Sequence, residues 1–267
     1  MDLQLQMHYS RAMVINGCKH KKNFMDIHVF KSQEELLSSL AEYFIKIGNA
    51  AIAEKGAFDV SLVGGNSPKK LYALLTTEKF KTQIDWKKIN FFFGDERYVP
   101  ANDPQYNALM VENILFEPMH ISESQIFRID TSLSPYESAK NYNEVIAAHF
   151  KNKTVRFDLI LLGLGDNAHT ASLFPFTEVL TETSASVKSV FVKELNSYRI
   201  TMTAPMINQA KHITFLVFGE DKAEAVDQIL NAARDIQIYP AQLIKPSNGK
   251  LDWFLDEAAA KKLKVKE

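Results

Sequence analysis

Four apolar, strand-like runs in this chain stop at glycine: Val60 to Gly65, Ile89 to Gly94, Leu159 to Gly165 and Ile213 to Gly219. Together they hold six of its ten glycines. Near-continuous apolar runs mark strands buried on both faces of a parallel sheet, and helical spacing appears between them. Ile27 to Phe30 leads into Glu34 to Glu54, where Leu36, Leu37, Leu40, Phe44, Ile45 and Ile52 form one stripe. Phe58 to Val63 leads into a helix carrying Leu71, Leu74 and Leu75. Ile89 to Phe93 precedes a helix from about Asn107 to Leu115, and Tyr136 to Phe150 precedes the strand Phe157 to Leu162. Val187 to Val192, Arg199 to Thr203 and Ile213 to Phe218 complete the expected strands, with a helix over about Asp221 to Ala233. This alternation predicts an α/β fold with an open, mostly parallel sheet. Ligands of such sheets bind beyond the carboxyl ends of the strands, where these glycines lie.

At 267 residues with no low-complexity linker or repeat, residues 25–267 are expected to form a single domain. The polar leader 1–24, with Lys19, His20, Lys21 and Lys22 near its end, reads as a flexible extension or an overlong start before Met25. Thirty-one basic residues nearly cancel 32 acidic ones, so no global field favours nucleic acid or an anionic membrane. An anionic ligand must be met by local charges. No apolar run approaches the roughly 20 residues of a membrane span. Cys18 is the sole cysteine, which excludes an internal disulfide and a cysteine metal cluster and places the chain in a reducing compartment, the cytoplasm by default. No histidine pair has the spacing of a helix-borne zinc site, so no metal is expected.

Three strand ends carry chemistry. Gly64, Gly65, Asn66, Ser67 and Pro68 offer consecutive N–H groups, a hydroxyl and a helix start, which suit a phosphate or carboxylate. The same residues also suit a plain turn with Ser67 as cap and Pro68 first in the helix. At Gly94-Asp95-Glu96-Arg97, either the charges form a salt-bridged loop, or Arg97 enters the crevice to orient a carbonyl while Asp95 or Glu96 holds it. Of seven histidines only His169 lies in a glycine-bearing turn at a strand end, Gly165-Asp-Asn-Ala-His-Thr170. Entering a helix there, it would be kept neutral by the peptide dipoles and able to deprotonate water. Ser172 lacks a nucleophile elbow and is discounted. Arg199 and Lys222 are further basic candidates.

Read together, these segments resemble the 6-phosphogluconolactonase family. The resemblance is carried by Ser61 to Tyr72, Phe93-Gly-Asp-Glu-Arg-Tyr-Val-Pro100 with Asn107, and Asp158 to Pro175. Arg199 to Asn208, Phe218 to Ala223, and Pro240-Ala-Gln-Leu-Ile with Trp253 and Asp256 add to it. It implies a three-layer αβα, modified Rossmann-like fold and hydrolysis of 6-phospho-D-glucono-1,5-lactone in the oxidative pentose phosphate pathway, without cofactor. The partner implied is the sugar-phosphate lactone alone, and the chain a monomer or homodimer. By the same resemblance His169 is the general base, Arg97 positions the substrate, and Gly64, Gly65, Asn66, Ser67, Arg199 and Lys222 grip the phosphate. Asp95, Glu96, Asn167 and Thr170 support them.

The family usually has Gly-x-Asp-Gly-His. Asn167 therefore replaces a carboxylate that could stabilise imidazolium, and Asp166 is displaced by one residue from that role. Ala168, where glycine is common, predicts a position without positive φ. The alternatives are a glucosamine-6-phosphate deaminase, whose Asp-Glu-Tyr-Val-Gly and Gly-His-Ile-Ala-Phe-Asn-Glu patterns are absent, and a sugar-phosphate-binding protein without turnover.

Overall fold

The computed structural model describes residues 13–14, 25–151 and 153–263. Its strands are β1 (Met13–Val14), β2 (Met25–Phe30), β3 (Phe58–Leu62), β4 (Ile89–Phe93), β5 (Asp95–Arg97), β6 (Leu159–Leu162), β7 (Val187–Val192), β8 (Ser197–Met202), β9 (His212–Val217) and β10 (Lys250–Asp256). The main sheet runs β1-β2-β10-β9-β6-β3-β4, parallel throughout except for β1 at its edge. Of residues 1–24 only Met13–Val14 are described, and the expected flexible extension otherwise lies outside the described residues.

Side chains alternate across this sheet, so neighbouring phenylalanines serve different layers. Phe91 packs on one face with Trp86 and Phe116, at ring separations of 6.5 and 5.1 Å. Trp86 in turn meets Phe44 of the helix Gln33–Lys55. Phe92 packs on the other face, stacked on Phe127 at 4.3 Å and 5.0 Å from His149 of the helix Pro135–His149. Every residue of β3 and β6 is buried, as a sheet covered on both sides requires. Each such phenylalanine contributes about 1.5–3 kcal/mol by leaving water.

Helix ends follow local chemistry. Ser32 accepts from the Glu35 N–H to start Gln33–Lys55, and Gly56 ends it at φ 85°. Ser134 and Glu137 form a capping box before Pro135–His149. The helix expected over about Asn107 to Leu115 is regular over Asn107–Val111, widens into a π turn over Glu112–Phe116 and ends at Met119. The wide turn ends two residues before Pro118, which has no N–H with which to continue a regular ladder.

Two parts differ from expectation. Asp95–Arg97, read as part of a loop after β4, is a strand in a second, antiparallel sheet of order β5-β8-β7. Lys250–Asp256, not among the expected strands, lies inside the main sheet between β2 and β9. The chain passes from β3 to β4 on one side, whereas β6 joins β3 on the other. The crevice beyond β3 and β6 is therefore a topological switch point.

Candidate active site

A cavity of about 790 Å³ opens at this switch point. Its walls include Gly64 to Ser67 beyond β3, Gly163 to Asn167 and His169 beyond β6, and Gly219 and Lys222 beyond β9. Arg97 and Arg199 reach it from the small sheet. Of the residues singled out in the sequence, Asp95, Asn167 and Thr170 also line the cavity, while Glu96 lies behind it, fully buried.

The helix Asn66–Leu75 points its N-terminus into the cavity with no acidic residue in its first turn. Gly65 is its N-cap and Ser67 its second residue, so the expected serine cap does not form and Pro68 stands third. Ser67 instead lines the cavity, beside a helix start whose first N–H groups have no intrahelical acceptor. Gly64 has no room for a side chain, since a Cβ would lie 1.7 Å from Asn107 Oδ1.

Arg97 and Arg199 are register partners across β5 and β8. Arg97 donates from Nη1 to the Gln105 carbonyl at 2.8 Å, and Arg199 to Ser197 Oγ at 2.9 Å and the Tyr198 carbonyl at 3.0 Å. Among the described residues neither guanidinium has a carboxylate within ion-pair distance. Burial and the neighbouring Arg97 hold Arg199 below the usual arginine range. Like charges placed opposite one another oppose the ladder, which an anion between them would relieve.

The acidic neighbours do not hold Arg97 by its guanidinium, contrary to expectation. Glu96 accepts from the backbone N–H groups of Arg97, Asn107 and Ala108 at 2.8, 2.7 and 3.0 Å, tying β5 to a helix start. Burial nevertheless pushes its carboxyl up to about 8. Asp95, also raised by burial, accepts from Ser172 Oγ at 2.6 Å. Ser172 thus holds a buried acid and lies in no helix.

His169 sits in a closed turn in which Gly165 N–H donates to the His169 carbonyl at 2.8 Å and Ala168 N–H to the Gly165 carbonyl at 3.0 Å. No helix follows directly, so the expected dipole effect is not the source of its electrostatics. Burial first, then the Lys222 ammonium, push the imidazole down to about 4; Asp166 opposes them, and Arg199 and Arg97 add to the fall. Closing this turn places Ala168 at φ 60°, against the expectation of an ordinary backbone. Thr170 Oγ1 secures the turn through the Gly163 carbonyl at 2.8 Å.

The imidazole is packed on both faces. Phe174 stacks on it at 3.9 Å, and a Cβ on Gly165 would come within 2.1 Å of ring atoms. Asn167 Oδ1 lies 2.5 Å from Nδ1 and accepts its proton, which leaves Nε2 with the free lone pair. Asp166 reaches Lys222 rather than His169. Sequence reasoning missed Phe174 as the ring's support and the Gln105 carbonyl as the anchor of Arg97. The aromatic lay within the segment already singled out, whereas a backbone carbonyl carries no residue signature.

The sequence pattern of the family described as glucosamine-6-phosphate isomerases/6-phosphogluconolactonase matches residues 31–253. The chain is 38% identical over 204 residues to the 6-phosphogluconolactonase of Haemophilus influenzae, covering 76% of this chain and 87% of that protein. It is 39% identical over 218 residues to that of Synechocystis sp., covering 80% and 88%. The 6-phosphogluconolactonase structure from Trypanosoma cruzi superposes with a TM-score of 0.79 at 27% identity, covering 89% of this chain and 96% of that one. On sequence and fold together, this chain belongs to the glucosamine-6-phosphate isomerase/6-phosphogluconolactonase family.

Proposed function

We propose that this chain is a 6-phosphogluconolactonase, hydrolysing 6-phospho-D-glucono-1,5-lactone to 6-phospho-D-gluconate in the oxidative branch of the pentose phosphate pathway. The observation that carries the reading is an imidazole with Nδ1 tied to Asn167, sharing a cavity with Arg97, Arg199 and Lys222. Arg199, Lys222, Ser67 and the N–H groups at Gly65 to Ser67 take the phosphate. The lactone carbonyl then lies toward Arg97 and the His169 turn.

His169 Nε2 takes a proton from water, and the resulting hydroxide adds to the carbonyl carbon. Arg97 stabilises the oxyanion that develops. Collapse breaks the bond from that carbon to the ring oxygen, which leaves as a hydroxyl after receiving the proton from His169. Asn167 fixes the tautomer without adding charge, so the imidazolium is transient and returns its proton readily. A lactone ester needs no stronger base than this, because its carbonyl is already electrophilic. The reaction belongs in the cytoplasm, with the chain acting as a monomer or homodimer; among the described residues no helix is long and apolar enough to cross a membrane.

Addition of fresh 6-phosphogluconolactone to the purified protein in weak buffer should release protons well above the spontaneous rate. Ammonia from glucosamine 6-phosphate would instead identify a deaminase. Binding of 6-phosphogluconate without either reaction would identify a sugar-phosphate-binding protein.

A further inference from the structure

The cations of the cavity are not equally free. Arg97 and Arg199 bond to carbonyls and a hydroxyl, whereas the Lys222 ammonium touches the Asp166 carboxylate and lies 3.4 Å from Asp221. Asp221 is its chain neighbour, but Asp166 comes from the His169 turn, 56 residues away in sequence. The Asp166 side chain is 77% exposed and the Lys222 side chain 21%. The carboxylate is thus the more open member of the pair, and both line the cavity that an arriving anion would enter. We propose that Asp166 is a resident anion which the substrate's phosphate must displace from Lys222, so that this carboxylate holds phosphate affinity below what the cations of the cavity alone would give.

The inference rests on the phosphate assignment above. A singly charged ligand gains little by replacing one carboxylate with another. A phosphate dianion carries more charge and also meets Arg199 and the N-terminus of Asn66–Leu75, so it alone has a surplus after the exchange. The cost of the exchange therefore falls on a ligand whose phosphate takes Lys222 and not on one without that group. An exposed ion pair shifts an equilibrium constant by up to about fivefold, which sets the expected scale.

Calorimetric titration of the full chain with 6-phosphogluconate, and with gluconate as the unphosphorylated control, reads the exchange directly. Asp166→Asn should tighten 6-phosphogluconate about two- to fivefold and leave gluconate unchanged, while Asp166→Glu keeps the wild-type value. Glu194→Gln removes the same charge from the cavity wall and should not reproduce the gain. No tightening in Asp166→Asn, or equal tightening in Glu194→Gln or toward gluconate, overturns the proposal. If Arg199→Ala weakens 6-phosphogluconate while Asp166→Asn leaves it unchanged, the phosphate assignment stands and this inference alone fails. If the wild-type protein does not bind 6-phosphogluconate, both fall.

Discussion

The two ends of the main sheet treat charge in opposite ways. At the amino ends of the strands, buried carboxylates are paired with basic side chains. Asp59 accepts from Lys55, from His149 at 2.8 Å and from Asn90 at 2.8 Å. Asp158 pairs with Lys55 at 2.8 Å and accepts the Asp59 N–H at 2.9 Å. Asp252 receives His28 at 2.7 Å, Tyr43 at 2.8 Å and Lys250 at 2.9 Å. Asp26, His28 and Asp252 bring ligand-type atoms within 4.8 Å of one another, but Lys250 contacts both carboxylates and provides the positive charge a cation would. At the carboxyl ends, two arginines face each other, and among the described residues neither pairs with an acid. Charges that are satisfied within the chain stabilise it; charges left open are available to a ligand.

The sharpest way to break this contrast is His169→Ala. It should lower kcat by about 10²- to 10⁴-fold with little change in 6-phosphogluconate binding or in the urea midpoint. Gly165→Ala should reproduce much of that loss by pushing the ring from its seat, and wild-type turnover in either variant would remove His169 from the reaction. At the opposite end Asp59→Ala should do the reverse. Leaving Lys55 and His149 without their acid should cost about 3–5 kcal/mol in urea unfolding, with turnover per folded molecule retained.

Acid separates the two ends further. Burial alone would raise the Asp59 carboxyl, but hydrogen bonds from His149, Lys55 and Asn90 outweigh it and hold it at about 2, below its ordinary 3.8. Its stabilisation is therefore complete above pH 3.8 and lost as pH falls through 2. His169, near 4 instead of 6.5, is also depressed, so its neutral form survives to mild acid, and the folded state loses stability over that interval as pH falls. The acid limb of kcat/KM should lie near 4, and Asn167→Asp should move it upward. A limb near 6.5 would show that burial and Lys222 do not govern the imidazole.

Arg199→Ala should weaken 6-phosphogluconate about 10- to 100-fold, as expected for a lost charged hydrogen bond of about 1.5–3 kcal/mol. Its melting temperature should stay level or rise, because the substitution also removes a like-charge cross-strand pair. A fall in both would make Arg199 a structural residue. The smallest effect is expected from Ala168→Gly, which should stabilise the chain by about 1 kcal/mol by relieving a left-handed alanine.

Much of this was legible from the chain alone. Glycines after apolar runs located the crevice because close backbone approach leaves a residue signature, and the His169 turn stood out for the same reason. β10 escaped because Asp252 interrupts its apolar run, and only the fold brings His28 and Tyr43 to satisfy that charge. β5 is three charged residues with no period to read. The left-handed Ala168 follows from closing a turn, a constraint that alanine does not announce. The Lys222–Asp166 contact joins positions too far apart in sequence for spacing to show.

The seating of His169 between Phe174 and the Gly165 backbone, with Nδ1 occupied, makes the imidazole a turnstile with one gate. In the proposed mechanism, the oxygen that attacks and the oxygen that departs both pass Nε2, one after the other. That demand concerns the reacting ester and not the size of the ring that contains it. A five-membered phosphorylated lactone would satisfy the same gate, so the choice among lactones falls to the span between phosphate and carbonyl.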